Sequence, residues 1–324
     1  MPDDFAARLT AWRHYLHTHP ELSRREQETA AFVCARLDEM GIPYESGIGG
    51  HGVVASLKRG GSNRSVGLRA DMDALPISEA TGKPYASQTP GVMHACGHDG
   101  HTTSLLGAAM LLREDKGWSG QVHLVFQPAE EGLKGAHAMV EDGLFERFPM
   151  ERIFGYHNWP GLEAGTVMVH PGPVMAGAVN FEITLKGKAG HAGMPHLCVD
   201  PVQGIAQLIV AVNAIVARNL APLQAGVIST CTLKAGEARN QVPETAAMGG
   251  TIRAFSLESM SLLKRRLSET ANGVAMAFGL EAQIWLGEDL APTVNRPEEA
   301  ELAAQAAAAG GAACAPGYGA DHGG

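Results

Sequence analysis

Basic residues are in short supply. Lys and Arg number 25 against 34 Asp and Glu, a formal net charge of −9, and they gather into no stripe, which argues against a nucleic-acid surface and suits an acidic, water-soluble protein. Cysteine is sparse: Cys34, Cys96, Cys198, Cys231 and Cys314 are odd in number and widely scattered, as expected of free thiols in a reducing compartment rather than a disulfide framework. Residues 1–10 show no basic segment leading into an apolar one, and no uninterrupted apolar run reaches bilayer-spanning length. Neither export nor membrane anchoring is expected, and the expected location is the cytoplasm. No repeat of fixed period is visible. The glycines at 47–50 and at 60–61 lack the lysine or the strand-to-helix setting of a phosphate-cradling loop.

What is present is enough chain for one large or two moderate domains, 324 residues. Apolar periodicity predicts helices over residues 4–17 and 24–40, with Gly41 at a C-cap position. Short β-rich runs at 53–57, 66–69, 122–126 and 153–156 then alternate with helical segments at 102–112 and 136–140. That alternation predicts an α/β fold, taken here as a mixed sheet with helices on both faces. After Pro173 the order becomes strand 179–186, helix 201–218, strands 226–233 and 245–255, helix 257–278 and strand 282–286. This is βαββαβ, the ferredoxin-like split arrangement. The expected organisation is a first domain of residues 1–175 and 290–324 with an inserted domain at 176–289. From Ala303 to Gly324 the chain is nearly all Ala and Gly, and it is expected to fray.

The chemistry-bearing residues recur where strands are predicted to stop. His94-Ala95-Cys96-Gly97-His98-Asp99 places a thiol and an imidazole two residues apart beside a carboxylate, typical transition-metal donors. Asp71, Asp73, Glu130, Glu131 and His157 all follow apolar runs, and ligands of open α/β sheets bind beyond the carboxyl ends of strands. In an extended segment Asp71 and Asp73 share a face, free to grip a ligand or orient a histidine. Glu130 and Glu131 point to opposite sides if extended, so one can bind metal while its neighbour reaches the water that the metal activates. That pairing suits amide hydrolysis. His14, His17, His19, His51, His101, His123, His137 and His170 have no evident partner and are taken as structural, as is the packing of Trp159.

The motifs WRHYLHTHPEL (12–22), LRADMDALP (68–76), HACGHDGHT (94–102), FQPAEEG (126–132), YHNWPG (156–161) and GKAGHAGMPH (187–196) resemble, in order, the amidohydrolases of the hippurate hydrolase and auxin-conjugate hydrolase type. These belong to the dinuclear metallopeptidase family of aminoacylases and carboxypeptidases. The resemblance implies two divalent metals per subunit (Zn, Mn, Co or Ni) and a ferredoxin-like lid through which subunits form a homodimer. It implies metal ligands at Cys96, His98, Glu131 and His157, a general base at Glu130, and a supporting carboxylate at Asp73. Asp71 stands where other branches carry a histidine. In the lid it implies that His191 stabilises the oxyanion in the partner subunit's site, and that Asn240 and Arg253 bind the substrate carboxylate, which a guanidinium fork suits. The family's Gly-Glu-Asp-Phe-like segment and closing His-Asn-Pro motif, source of a last ligand histidine, are absent. His322 does not match that motif and receives no role. The change after Ala303 is read as a truncated or frame-shifted end, with an unusual natural C-terminus as the alternative.

The activity so implied is hydrolysis of the amide bond of a small N-acyl or N-aroyl amino acid, with no nucleic-acid or membrane partner. Two alternatives differ in class: a catalytically silent metal-binding or dimerising remnant, and a metallo-dipeptidase or carboxypeptidase.

Overall fold

Alternating side chains sort the strands of the N-terminal part into two buried layers. Val53, Ala55, Val122, Leu124 and Phe126 pack into one core, while Val54 and Val125, their neighbours in sequence, pack into another on the opposite face. Such two-sided burial needs helices above and below, and the chain supplies them. In the computed structural model, which describes residues 4–132 and 134–316, the chain divides into two compact units, Met1–Leu162 and Glu163–Gly324.

The first unit runs α1 (Phe5–Thr18), α2 (Gln27–Met40), β1 (Tyr44–Ile48), β2 (Gly52–Arg59), β3 (Ser65–Asp71), α3 (His98–Glu114), β4 (Gly120–Gln127), α4 (Gly135–Glu141), α5 (Leu144–Arg147) and β5 (Arg152–Gly155). Its sheet has the order β1-β2-β4-β3-β5. Strand β3 lies parallel to β4 and β5, and β2 is antiparallel to β4, so the sheet is mixed. Trp12, Val33, Leu37, Leu106 and Ala109 of α1, α2 and α3 fill one layer, and Met139, Leu144 and Phe148 fill the other. Gly41 ends α2 with φ +63°, the left-handed cap expected there.

The second unit runs β6 (Thr166–Val169), β7 (Gly172–Met175), β8 (Gly177–Lys186), β9 (Gly190–His191), α6 (Pro201–Asn219), β10 (Gly226–Ala235), β11 (Gln241–Val242), β12 (Thr245–Ala254), α7 (Leu257–Ala277), β13 (Glu281–Leu286), β14 (Thr293–Asn295), α8 (Pro297–Ala309) and β15 (Ala313–Pro316). Its antiparallel four-stranded sheet has the order β10-β12-β8-β13. Val179, Phe181, Ile183 and Leu185 of β8 pack under Leu208 and Val212 of α6 and Leu263 and Leu267 of α7. The intervening Asn180 and Glu182 are exposed, as one-sided cover of an antiparallel sheet requires. Helix α6 has the length and composition of a membrane span, but its apolar stripe is part of this core.

The Ala/Gly segment departs from expectation. Far from fraying at Ala303, the chain continues α8 to Ala309 and then pairs β15 in parallel with β6. Alanine is the strongest helix former. Pro297 at the start and Glu298 and Glu299 in the first turn favour this end of the helix, and Ala300 is buried. Low sequence complexity was a poor guide because alanine carries helix propensity without visible amphipathic pattern. Residues 317–324, including His322, lie outside the described residues.

Candidate metal centre

Because β3, β4 and β5 are parallel, their carboxyl ends open on one edge of the sheet. Asp71 is the last residue of β3, Glu130 and Glu131 follow β4, and His157 follows β5. The fourth contribution comes from a helix start. Gly97, at φ +91°, turns the chain into α3, whose first residue is His98. A Cβ on Gly97 would lie 2.4 Å from the Asn158 side chain, so glycine is required both for the backbone angle and for the close approach of the loop carrying His157.

His98 is the hub. Ligand atoms of Cys96, His98 and His157 lie within 4.8 Å of one another, as do those of His98, Glu130 and Glu131, and of Asp71, His98 and His101. The Cys96 sulfur is 3.5 Å from Nε2 of His157. Nε2 of His98 lies 3.6 Å from Asp71 and 3.9 Å from Glu131, and its Nδ1 lies 3.3 Å from Oδ1 of Asp73.

Hydrogen bonds fix these groups. Asp73 accepts the backbone N–H of Glu130 (3.1 Å), that of Glu131 (3.0 Å) and the Ser23 hydroxyl (2.6 Å), so one carboxylate sets the loop that carries both glutamates. Nδ1 of His157 donates to the Asn158 carbonyl at 2.7 Å, which leaves Nε2 with its lone pair facing Cys96. Nε2 of His101 accepts from the Asn158 amide at 3.0 Å, so its Nδ1–H donates to Asp71 at 2.6 Å. Arg69 adds an ion pair to Asp71 at 2.7 Å.

Electrostatics mark the site as short of positive charge. Burial disfavours charge on Asp71 and Asp73. The His101 hydrogen bond and Arg69 nevertheless hold Asp71 far below the usual carboxylate range, and His98 and Ser23 lower Asp73. Burial likewise opposes charge on His98, yet Asp73, Cys96 and Asp71 push it up to about 11. Glu130 is raised by burial and then by the charge of Glu131, Glu131 is raised chiefly by burial, and burial lowers His157. Among the described residues, Nε2 of His98 and Oε1 of Glu131 are buried without a hydrogen-bond partner. Unpaired imidazole and carboxylate atoms beside a thiol and a second imidazole fit divalent transition metals.

Six of the nine residues singled out from sequence, Asp73, Cys96, His98, Glu130, Glu131 and His157, come together in this unit. The other three lie in the second. His191 is exposed on β9, its Nδ1 accepting from the Gly193 amide at 3.0 Å. Asn240 is its neighbour, since Gln241 pairs with His191 and the Asn240 carbonyl accepts from Ala192. Arg253 sits opposite Ala178 towards the other end of β12, eight extended residues past Thr245, or about 26 Å at ~3.3 Å per residue. His101 was missed by the sequence reading and belongs to the centre. Its spacing from His98, one helical turn on the same face of α3, was the available signal.

Fold and donor set are those of a metal-dependent hydrolase. Residues 67–322 match Peptidase family M20/M25/M40; the chain belongs to this family and, with it, to the metal-dependent amidohydrolases. It is 41% identical over 295 residues to a hippurate hydrolase of Campylobacter jejuni, covering 91% of this chain and 77% of that one. It is 42% identical over 277 residues to an N-acetyl-L-cysteine deacetylase of Bacillus subtilis, covering 85% and 66%. The structure of a dinuclear metal-binding M20 peptidase of Bacillus subtilis superposes with a TM-score of 0.84 at 34% identity, over 98% of this chain and 83% of that one.

Proposed function

We propose that the chain hydrolyses the amide bond of N-acyl or N-aroyl amino acids, releasing a carboxylic acid and an amino acid. The observation that carries this is the convergence of adjacent glutamates, which the expectation of opposite-facing side chains did not foresee: with His98, both offer oxygens to one small cluster, while Asp73 holds both of their amides. Cys96, His98, Glu131 and His157 would hold two divalent ions, Zn, Mn, Co or Ni. Such ions, when bound, polarise the amide carbonyl and acidify water.

The rest is work of the chain. Glu130 takes the proton from the attacking water and delivers it to the leaving amine. Asp73 keeps that carboxylate in place through the backbone. His191, with Asn240 beside it, would stabilise the oxyanion from the partner subunit of a homodimer. Asn240 and Arg253 would bind the substrate's carboxylate; Asn240 stands just ahead of β11 and Arg253 near the end of β12, so one chain presents them at different places. Residues 176–289 would serve as the inserted ferredoxin-like lid and dimerisation domain, with 1–175 and 290–324 as the catalytic domain. The βαββαβ order and the pairing of β7 with β14 and β6 with β15 outside it support that division. Five free cysteines support a reducing, cytoplasmic setting.

The acyl group is open between benzoyl-glycine, as the Campylobacter relative's name suggests, and N-acetyl amino acids, as the Bacillus relative's does. Turnover of both series with added manganese, cobalt or zinc tests the proposal. Hydrolysis abolished by Glu130→Ala supports it; inactivity with every metal favours a silent metal-binding remnant. Cleavage of unblocked dipeptides instead would favour a peptidase.

A further inference from the structure

The loop that bears Glu130 makes an unusual turn. Ala129 has φ +48°, in the left-handed region that L side chains avoid because Cβ crowds the following carbonyl. Nothing in its own side chain favours that angle, so the surroundings must impose it. They do so at both ends of the residue. The Ala129 carbonyl accepts from the Gly135 amide at 3.1 Å, and the Ala129 N–H donates to Oε1 of Glu26 at 2.7 Å. Glu26 is a fully buried carboxylate at the start of α2, 103 residues earlier in the chain. Among the described residues, its side-chain hydrogen bond goes to Ala129 and to no metal-ligand candidate. Its second oxygen is buried with no hydrogen-bond partner among the described residues, so the group is retained at the cost of burying an acid.

With Asp73, this completes a sequence of three: the consecutive amides of Ala129, Glu130 and Glu131 each end on a carboxylate oxygen, the first on Glu26 and the next two on Asp73. Successive N–H groups held on anions form a rigid concavity. We infer that Glu26 is a positioning residue for the catalytic loop: its carboxylate locks the left-handed turn at Ala129 and thereby aims the Glu130 side chain at the reacting centre. This rests on the reading of Glu130 as the base, while the lock itself is a property of the backbone.

Three substitutions separate positioning from plain core filling. Glu26→Leu keeps volume and removes the acceptor; Glu26→Asp keeps the charge but withdraws the oxygen by one methylene; Glu26→Gln keeps an acceptor at full length. In the full chain, amide hydrogen exchange across residues 127–132 should speed by about tenfold or more in Glu26→Leu and Glu26→Asp, as expected when a buried donor loses its partner. Glu26→Gln should restore protection, and Ala129→Gly added to Glu26→Asp should restore it in part, because glycine adopts the turn unaided. Turnover of the best substrate should follow the same order, falling in kcat by about tenfold with KM nearly constant. Equal exchange of 127–132 in all variants, or loosening by Gln as large as by Leu, would overturn the lock. Glu130→Ala run alongside distinguishes the two readings: if it stays active, the assignment of the base falls, and the exchange data still decide the role of Glu26.

Discussion

The sulfur of Cys96 lies 3.5 Å from Nε2 of His157, although 61 residues separate them in the chain. The two arrive from different directions, one just ahead of α3 and the other just past β5. The His157 ring is turned by its own Nδ1 bond to Asn158 so that its lone pair faces the thiol. Cys96→Ala should therefore lower metal affinity by no less than the ~10–100-fold that outer partners of metal ligands are worth. The affinity should also lose part of its pH dependence, because one group that must shed a proton is gone. Metal stoichiometry and affinity by titration calorimetry check this, and unchanged values would remove Cys96 from the centre.

Asp73 gives a different expectation, since it serves the site through backbone atoms. Its two oxygens hold the amides of Glu130 and Glu131, and Oδ1 also faces His98. Asp73→Asn keeps the shape but turns an amide donor towards groups that are themselves donors. We expect kcat to fall by about 10–100-fold with KM nearly constant, the signature of a misplaced catalytic group. Steady-state kinetics on whichever N-acyl amino acid is hydrolysed best provide the measurement; a change confined to KM would mean that Asp73 acts on substrate binding instead.

How much of this was legible in the chain varies with the range of the interaction. Period-two and helical patterns located most long elements of both units, because each such signal resides within about ten consecutive residues. The short strands β1, β6, β7, β9, β11, β14 and β15 escaped, since two to five residues carry too little pattern, and α8 was hidden behind its alanines. In the site, Cys96, His98, Glu130, Glu131 and His157 were marked by donor chemistry beside strand and helix ends. His101 was not, nor was the buried His17 outside the site, because each is defined by a partner far away: Asp71 is 30 residues from His101, and Asp99 is 82 from His17. Glu26 is the extreme case. As a letter it is one more acid in an exposed-looking helix start, and only the fold shows that it is buried against a loop 103 residues on.

Two glycines carry the geometry of the site and should resist replacement. Gly97 combines φ +91° with a would-be Cβ 2.4 Å from Asn158, and Gly135 leaves only 1.6 Å between a would-be Cβ and the Pro128 carbonyl. Gly135→Ala has backbone rather than a flexible side chain to displace, so it should cost about 3 kcal/mol or more, in the range of severe overpacking. Gly97→Ala, which adds left-handed strain of about 1–2 kcal/mol, should also disturb metal affinity through His157. Thermal unfolding of the metal-free proteins ranks the two; a Gly135→Ala protein as stable as the parent would contradict the packing described for the loop after β4.

The buried pair His17 and Asp99 makes the last prediction, on pH. Nδ1 of His17 lies 2.9 Å from Asp99 and its Nε2 lies 3.3 Å from Glu79, while Arg13 reaches Asp99 from outside at 3.1 Å. The Asp99 hydrogen bond raises the His17 pKa against the effect of burial, and His17 is the foremost group that lowers Asp99, again against burial. A base with a raised folded pKa contributes stability that is complete below its unfolded value of about 6.5 and disappears as pH climbs through the folded value. An acid with a lowered folded pKa contributes above about 3.9 and loses that contribution as pH drops through its folded value. The pair should therefore contribute most between about pH 4 and 6.5. His94, 6.3 Å away between ring centroids and lowered to about 4 by burial, has the opposite slope in this window, but it is present in parent and variant alike. The difference in unfolding free energy between the parent and His17→Gln should thus be widest near pH 5–6, at about 1–3 kcal/mol for a buried charged hydrogen bond, and should narrow steadily towards pH 9. Denaturant melts at five or six pH values measure it directly. A gap that stays flat over that span would show that His17 is neutral in the folded protein and that its Nδ1–H bond to Asp99 carries no charge on the imidazole.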